Sequence, residues 1–312
     1  MTPRSPIGLP SGEGDLLDYF CMVGTGAMAR ALGRALHEHG FRCTGWFGRT
    51  VDRARSAAGN VAHVPFLELG KAKLPEADLT ILAVSDDSLE TVAAQLAAQG
   101  VPPGAAVLHT SGVHDHHVLG ALASQGAVTG SFHPSQTFTG AEGKERFRGA
   151  TIGIEGMPEA VRTGKRLADD LLAQAVEVPS DRKALYHAAA VVAGNHAIAM
   201  LAVAADLWER ATSDRQGAVE ALGPLTRQSV ENALQAGPEV ALTGPVVRGD
   251  LGTLQRHLDA LSLHADHLLP MYASVVTETV HLALRSGRLS TERAVEMLDL
   301  LANGVGSPTE ES

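Results

Sequence analysis

Within the apolar run "DRKALYHAAAVVAGNH", residues 181 to 196, four side chains could do chemistry or anchor polar groups: Lys183, His187, Asn195 and His196. A lysine carries charge to a reacting centre, and an imidazole gives and takes protons near neutral pH. If the run is one α-helix turning roughly 100° per residue, Lys183 and His187 occupy adjacent turns of one face. Gly194 then falls between them in angle, Asn195 at their edge, and His196 on another surface, in a core or an interface. A helical glycine costs about 1 kcal/mol relative to alanine, so Gly194 predicts close packing against its backbone. Lys183, His187 and Asn195 are the expected catalytic group. Either Lys183 or His187 could be the proton donor.

Two short β-like runs end in "LHTSG" and "GSFHPSQTF", which put His109, Ser111 and His133 at strand ends. In open parallel sheets ligands bind outside the carboxyl ends of strands, so His109 is expected beside a cofactor, and His133 and Ser111 beside a substrate. Burial with satisfaction by loop backbone is the competing reading for both histidines. The segment "TGPVVRGDLGTLQRH" adds Arg248, suited to clamp a carboxylate, and Asp250, placed both to contact substrate and to cap the helix beginning near Leu251. His257 would support one of these two. In "VHDHHVLG", His114, Asp115, His116 and His117 crowd a loop or first helical turn without the i, i+4 spacing of a rigid metal site, so no metal is expected.

These groups need a scaffold, and the hydrophobic pattern supplies one. From Asp18 to about Val178, β-like runs alternate with amphipathic helical segments ("YFCMVG", "FRCTGWFG", "VAHVP", "LTILAVS", "AAVLHTS", "AVTGSF", "ATIGIE", "QAVEVP"), the pattern of βαβ units on a mostly parallel sheet. After Pro179 the periodicity is helical, over roughly 181–212, 215–236, 251–286 and 290–303, with Pro224, Pro238, Pro245 and Pro270 expected to break or kink it. The expected organisation is a Pro/Gly/Ser-rich disordered leader over 1–15, an α/β domain over 16–179 and a helical domain over 180–306.

At 312 residues, with 45% hydrophobic and 19% charged, the chain suits two globular domains. Its net charge of −10 argues against nucleic acid as a partner. The most apolar stretch, Ala188 to Asp206, is broken by Gly194, Asn195 and His196, so a packed helix is expected there and no membrane span. Cys21 and Cys43 sit in β-like runs without metal-type spacing, which suits reduced thiols and a cytoplasmic location.

The first β-like run leads into "GTGAMARALGRALHEHG": Gly24, Gly26 and Ala29 at a strand-to-helix turn. Glycines there let backbone approach a pyrophosphate, and the helix N-terminus faces the anion, so Gly24, Thr25, Gly26, Ala27 and Met28 are expected to cradle a dinucleotide. An acid at the end of the second strand would mark NAD. This chain has Arg49 and Thr50 there, which suit the 2′-phosphate of NADP. Arg53 and Arg55 follow and could simply solvate the next helix. Val84, Ser85 and Asp86, after the fourth strand, should line the same cleft, with Ser85 and Asp86 also able to cap a helix.

Taken in order, "GTGAMA", "LAVSDDSL", "LHTSG", "GSFHPSQTF", "LYHAAAVVAGNH" and "TGPVVRGDLGTLQRHLDAL" resemble a Rossmann-like family whose C-terminal half is a helical domain of undefined function. The resemblance covers about Asp18 to Leu301. It implies a doubly wound, mostly parallel sheet and an all-helical domain similar to those of 6-phosphogluconate dehydrogenase, pyrroline-5-carboxylate reductase and ketopantoate reductase. It further implies NADP use and a homodimer formed through the helical domains. In one respect the chain departs from the hydroxyacid dehydrogenase and ketopantoate reductase pattern: Lys183 is followed four residues later by His187, where those enzymes carry asparagine.

These readings converge on an NADP-dependent oxidoreductase that reduces a small anionic, carboxylate-bearing carbonyl compound, with 2-dehydropantoate (ketopantoate) as leading substrate. The alternatives are an imine reductase of the pyrroline-5-carboxylate reductase type and a non-catalytic NADP-binding regulatory protein.

Overall fold

A computed structural model describes residues 17–59, 61 and 64–305. The leader expected over 1–15 lies outside the described residues. Contacts divide the chain into two compact units, Met1–Asn195 and His196–Ser312.

In the first unit β-branched and aromatic runs form strands β1 (Tyr19–Val23), β2 (Arg42–Gly48), β3 (Phe66–Glu68), β4 (Leu79–Leu82), β5 (Ala106–His109), β6 (Val128–Pro134), β7 (Thr151–Gly156) and β8 (Gln174–Glu177). They make one sheet in the order β3-β2-β1-β4-β5-β6-β7-β8. All pairings are parallel except β6 with β7. The connecting helices are α1 (Ala27–Glu38), α2 (Val51–Ala58), α3 (Leu89–Gln99), the short α4 (Gly120–Ala123) and α5 (Pro158–Asp170), followed by α6 (Lys183–Val191). Alternate side chains of β1 feed two cores: Phe20 and Met22 join Leu32, Trp46 and Ile154, while Cys21 and Val23 join Phe47, Leu96 and Val107. Successive side chains of a strand face opposite ways, so the sheet is covered on both sides and its strands read as continuous apolar runs.

The expected strand at "VAHVP" begins later, at Phe66, because Val61 N bonds back to Ala58 O and pairing with β2 opens only where Trp46 N reaches Pro65 O. Cys21 is buried, Cys43 is half-buried, and both are free thiols.

The second unit contains α7 (Ala197–Thr212), α8 (Ala218–Ala236), the short α9 (Pro238–Ala241), α10 (Leu251–His264), α11 (Leu269–Arg285) and α12 (Thr291–Val305). Its core joins Val246, Leu254, Leu258, Val280, Met297 and Leu301. The helix expected over 251–286 is two helices, broken where Ala265 takes an extended φ of −159° and Pro270 opens α11. Pro224, expected to break or kink the helical region, does not break it: it lies inside α8, which runs through it.

The packing division at Asn195 comes later than the change from strands to helices near Pro179, because α6 packs with the sheet unit. Helix α6 widens into a π-type turn, Val192–His196, before α7. The uniform 100° turn assumed from sequence therefore fails at Gly194 and Asn195. The 33-residue helical stretch Ser180–Thr212 is long and apolar enough by composition to cross a membrane, and only 6% of its most apolar 18-residue window is buried in the chain. The packed helix expected there is thus packed at its head, where Lys183 is buried, and bare along most of its length.

Candidate active site

The turn after β1 is shaped by its neighbours. Gly24 N donates to Phe47 O at 3.0 Å, and the Trp46 Nε1–H donates to Gly24 O at 2.8 Å. Gly24 has φ of +134°, and a Cβ there would lie 2.1 Å from Ala83 O, so only glycine fits between β1 and β4. Gly26 occupies the N-cap of α1 with no capping side chain, no acid stands in the first turn, and a Cβ at Gly26 would meet nothing within 4 Å. The first turn of α1 thus has no side-chain cap and leaves open space at Gly26, at the positive end of a helix, which fits a pyrophosphate. Gly26 is exposed, and Thr25, Ala27 and Met28 are half-buried beside it.

At the end of β2, Arg49 and Thr50 are both exposed. The Thr50 hydroxyl accepts from Arg53 N at 3.3 Å and caps α2, while Arg49 has no ion pair among the described residues. Arg55 lies 3.7 Å from Asp52 and over the Phe66 ring, so it serves its own helix. After β4, Val84 is half-buried and Ser85 and Asp86 are exposed. The cap expected of Ser85 is not formed: its hydroxyl lies 2.8 Å from that of Ser88 instead.

Lys183 is the centre of the second cluster. Its side chain is 2% exposed, and Nζ donates to Ser111 O at 3.2 Å and to Ser131 Oγ at 2.5 Å. Burial lowers its pKa to about 8, against the raising pull of Glu155, Asp115 and Asp86. The ammonium form still predominates at neutral pH. Ser111 and Ser131 come from the loop after β5 and from β6, so helix α6 is pinned to the carboxyl edge of the sheet.

Beside it, His133 Nδ1 lies 3.1 Å from the Tyr186 hydroxyl, which also bonds Ser135 Oγ. The His133 and His187 rings meet edge to face with centroids 5.5 Å apart. Burial, then the nearby His187 and Lys183, push the His133 pKa down to about 4, so it is neutral at physiological pH. Gly112 is required here by close approach: a Cβ would lie 2.3 Å from His187 Cδ2 and 2.8 Å from His133 Nε2. His187 is half-buried, unlike Lys183, and retains access to a ligand.

Several expected site residues serve other ends. His109 is fully buried: its Nδ1 accepts from Ser111 N and its Nε2–H donates to Asp115 O, both at 3.2 Å. Burial drives its pKa to about 3, so it supports the Ser111 loop as a neutral ring and has no free atom for a cofactor. The Ser111 hydroxyl accepts from Val113 N and His114 N, so the loop uses it and the backbone carbonyl meets Lys183. Asn195 is exposed in the π-type turn and makes no side-chain hydrogen bond among the described residues, and His196 is also exposed. No described atom packs within 4 Å of a Cβ at Gly194, contrary to the close approach expected there.

In the second unit Arg248 is exposed, whereas Asp250 spends its carboxylate on Thr253 N at 3.0 Å and Thr253 Oγ1 at 2.7 Å. Asp250 is therefore an N-cap rather than a substrate contact. His257 bonds Tyr272 at 2.7 Å, not Arg248 or Asp250.

The histidine run is also dispersed. His116 binds Glu155 and His117 pairs with Asp115, and among the described residues no group of three or more His, Cys, Asp and Glu side chains could hold a metal. Two members of the clusters were not picked out from sequence: Tyr186 and Glu155. Tyr186 stands three residues after Lys183 on the same helical face, and Glu155 is a carboxylate inside the otherwise apolar strand run "ATIGIE"; both were signals that could have been followed.

The fold and the open glycine turn define a Rossmann-like protein, and residues 19–134 match the Rossmann-like domain. Residues 150–279 match a domain of unknown function, DUF2520, so the chain joins a Rossmann-like domain to a DUF2520 domain. Among solved structures it is similar to BF3122 of Bacteroides fragilis, provisionally described as an NADP oxidoreductase, with 24% identity, TM-score 0.68, and coverage of 85% of this chain and 98% of that one. TM1727 of Thermotoga maritima is similar at 22% identity, TM-score 0.61, covering 92% and 98%. A pyrroline-5-carboxylate reductase of Coxiella burnetii is similar at 14% identity, TM-score 0.55, covering 90% and 99%. At such identities these likenesses establish a shared fold. No curated protein matches the chain.

Proposed function

We propose that the protein is an NADP-dependent oxidoreductase that reduces a small carboxylate-bearing carbonyl compound, with 2-dehydropantoate as leading substrate. The observation that carries this reading is the buried Lys183 ammonium beside His133 and His187, at the same strand edge as the open glycine turn. Gly24, Thr25, Gly26, Ala27 and Met28 would hold the dinucleotide diphosphate, and Arg49 with Thr50 its 2′-phosphate. NADPH supplies a hydride when bound.

The chain's own residues hold charge and proton. Lys183, fixed by Ser111 and Ser131, is a preorganised positive charge for an oxygen that gains negative charge. Its enclosure favours His187 as the group that protonates that oxygen, because a donor must reach the reacting atom. His133, held by Tyr186, orients His187 through their ring contact.

An NADPH oxidation assay with 2-dehydropantoate and pyrroline-5-carboxylate tests the assignment. Turnover of the first, reduced at least about 100-fold in kcat by His187→Gln, is expected. Turnover of pyrroline-5-carboxylate alone would install the imine reductase reading, which the likeness to the Coxiella enzyme supports. NADPH binding with no turnover of either, unchanged by His187→Gln, would favour the regulatory reading, for which the enclosure of Lys183 speaks.

A second copy of this chain is the partner proposed for the helical region. Helix α8 buries only Ala218 of its 19 residues, and exposes Val230 and Leu234 one turn apart. Such faces mark interaction sites. No membrane role is invoked, because Lys183 and Tyr186 dock the head of the long apolar helix on the sheet.

A further inference from the structure

Glu155 stands next to the last residue of β7 with its side chain 2% exposed, in a strand otherwise built of Thr, Ile and Gly. A buried carboxylate is costly unless it is bonded and paired, and this one is both. Oε1 accepts from Ser180 Oγ at 2.8 Å and from His116 Nδ1 at 2.5 Å, and Oε2 accepts from His116 N at 2.9 Å. Three segments meet on it. His116 ends the loop that begins at Ser111, Ser180 opens the turn leading directly into Lys183, and in the antiparallel pairing Glu155 stands opposite Ser131. Directly opposed residues of such a pair project to the same face of the sheet. Both oxygens that receive the Lys183 ammonium, Ser111 O and Ser131 Oγ, therefore belong to segments that Glu155 ties or neighbours.

We infer that Glu155 is the positioning residue of the proposed site: its carboxylate, through His116 and Ser180, holds the Ser111 loop and the head of α6 in register and supplies the countercharge of the buried Lys183. The residue acts through Lys183 and not on a ligand. This deepens the reductase reading, on whose site it rests, and it differs from the use of Ser180 as a simple helix-start residue, because Ser180 makes no capping bond. Other charged and titratable groups facing Lys183 are Asp115 and Asp86 as anions and the imidazoles of His109 and His133.

The test is the titration of Lys183, followed by NMR of full-length protein labelled at lysine Cε and assigned with Lys183→Arg. Wild type is expected to titrate at about 8. Glu155→Gln keeps shape and removes charge, and is expected to lower that midpoint by about one pH unit, with NADPH affinity unchanged within about threefold. The alkaline limb of the kcat/KM pH profile should move by the same amount in the same direction. An unchanged Lys183 midpoint in folded Glu155→Gln overturns the inference. A shifted midpoint with no reductase activity in either protein leaves Glu155 in place and removes the reductase reading instead.

Glu155→Asp keeps the charge and shortens the reach, so it reads the tether separately and does not depend on Glu155→Gln folding. Amide exchange is expected to quicken about tenfold in both residues 111–116 and residues 180–186, with the Lys183 midpoint retained. Unchanged exchange in both segments also overturns the inference.

Discussion

Strand β4 and helix α8 show how differently two regions of this chain use apolar residues. All four residues of β4 are buried, whereas α8 buries one of its 19 and leaves Leu234 79% exposed. The sheet unit completes its own core and bonds the polar groups around Lys183: Lys183, Ser131, His109 and Glu155 are all buried and all hydrogen-bonded, while the buried Thr129 hydroxyl on β6 has no partner among the described residues. The helical unit holds its core between α10, α11 and α12 and leaves α8 uncovered. The self-sufficient region is the one suited to hold a preorganised charge, because buried polar groups keep their geometry only when every partner is present. The open region is suited to association.

The strongest way to break that contrast is at the crowded glycine. Gly24→Val should abolish nucleotide binding, by about 1,000-fold or more in Kd, and cost several kcal/mol, because the new Cβ would meet Ala83 O and φ is +134°. Fluorescence titration with NADPH and thermal melting check it; wild-type affinity would show that the turn is not the nucleotide cradle. Next, Val230→Asp with Leu234→Asp should raise the dimer dissociation constant at least about 100-fold without lowering Tm by more than a few degrees. Light scattering across a concentration series reads it, and a monomeric wild type would remove the dimer proposal.

Arg49→Asp should weaken NADPH binding by about tenfold or more and leave NADH nearly unaffected, since only the former carries a 2′-phosphate. Equal losses for both would count against the NADP reading.

The last effect is on stability and is read in pH. His109 and His133 take up protons near 6.5 when unfolded, but only at about 3 and about 4 in the folded chain. Protons therefore favour the unfolded state. The stability present above pH 6.5 is lost as pH falls toward 4, by up to about 1.4 kcal/mol per pH unit for each histidine. Melting between pH 7 and 4 should show this loss of Tm, with a shallower slope in His109→Gln.

Much of the scaffold was legible because its signals are local. The glycine turn, the Asp250 cap and seven of the eight strands follow from neighbouring residues whose sterics and periodicity act within a few positions. The site was legible in part: Lys183, His187 and His133 do come together, while Asn195 does not, because the π-type turn at Val192–His196 carries it out of phase. Nothing in residue spacing announces a π-type turn within an alanine-rich helix.

The sequence by itself determined the sheet-then-helix order, the glycine turn after β1 and the basic end of β2, since each is a short-range consequence of side-chain shape and charge. Only the tertiary structure decided that His109 is a buried support, that Lys183 is held by Ser111 and Ser131, and that Glu155 ties the loop of one strand to the head of a helix. Those contacts join residues 25 to 72 positions apart or, for His109, depend on burial, and both are properties of the packed chain.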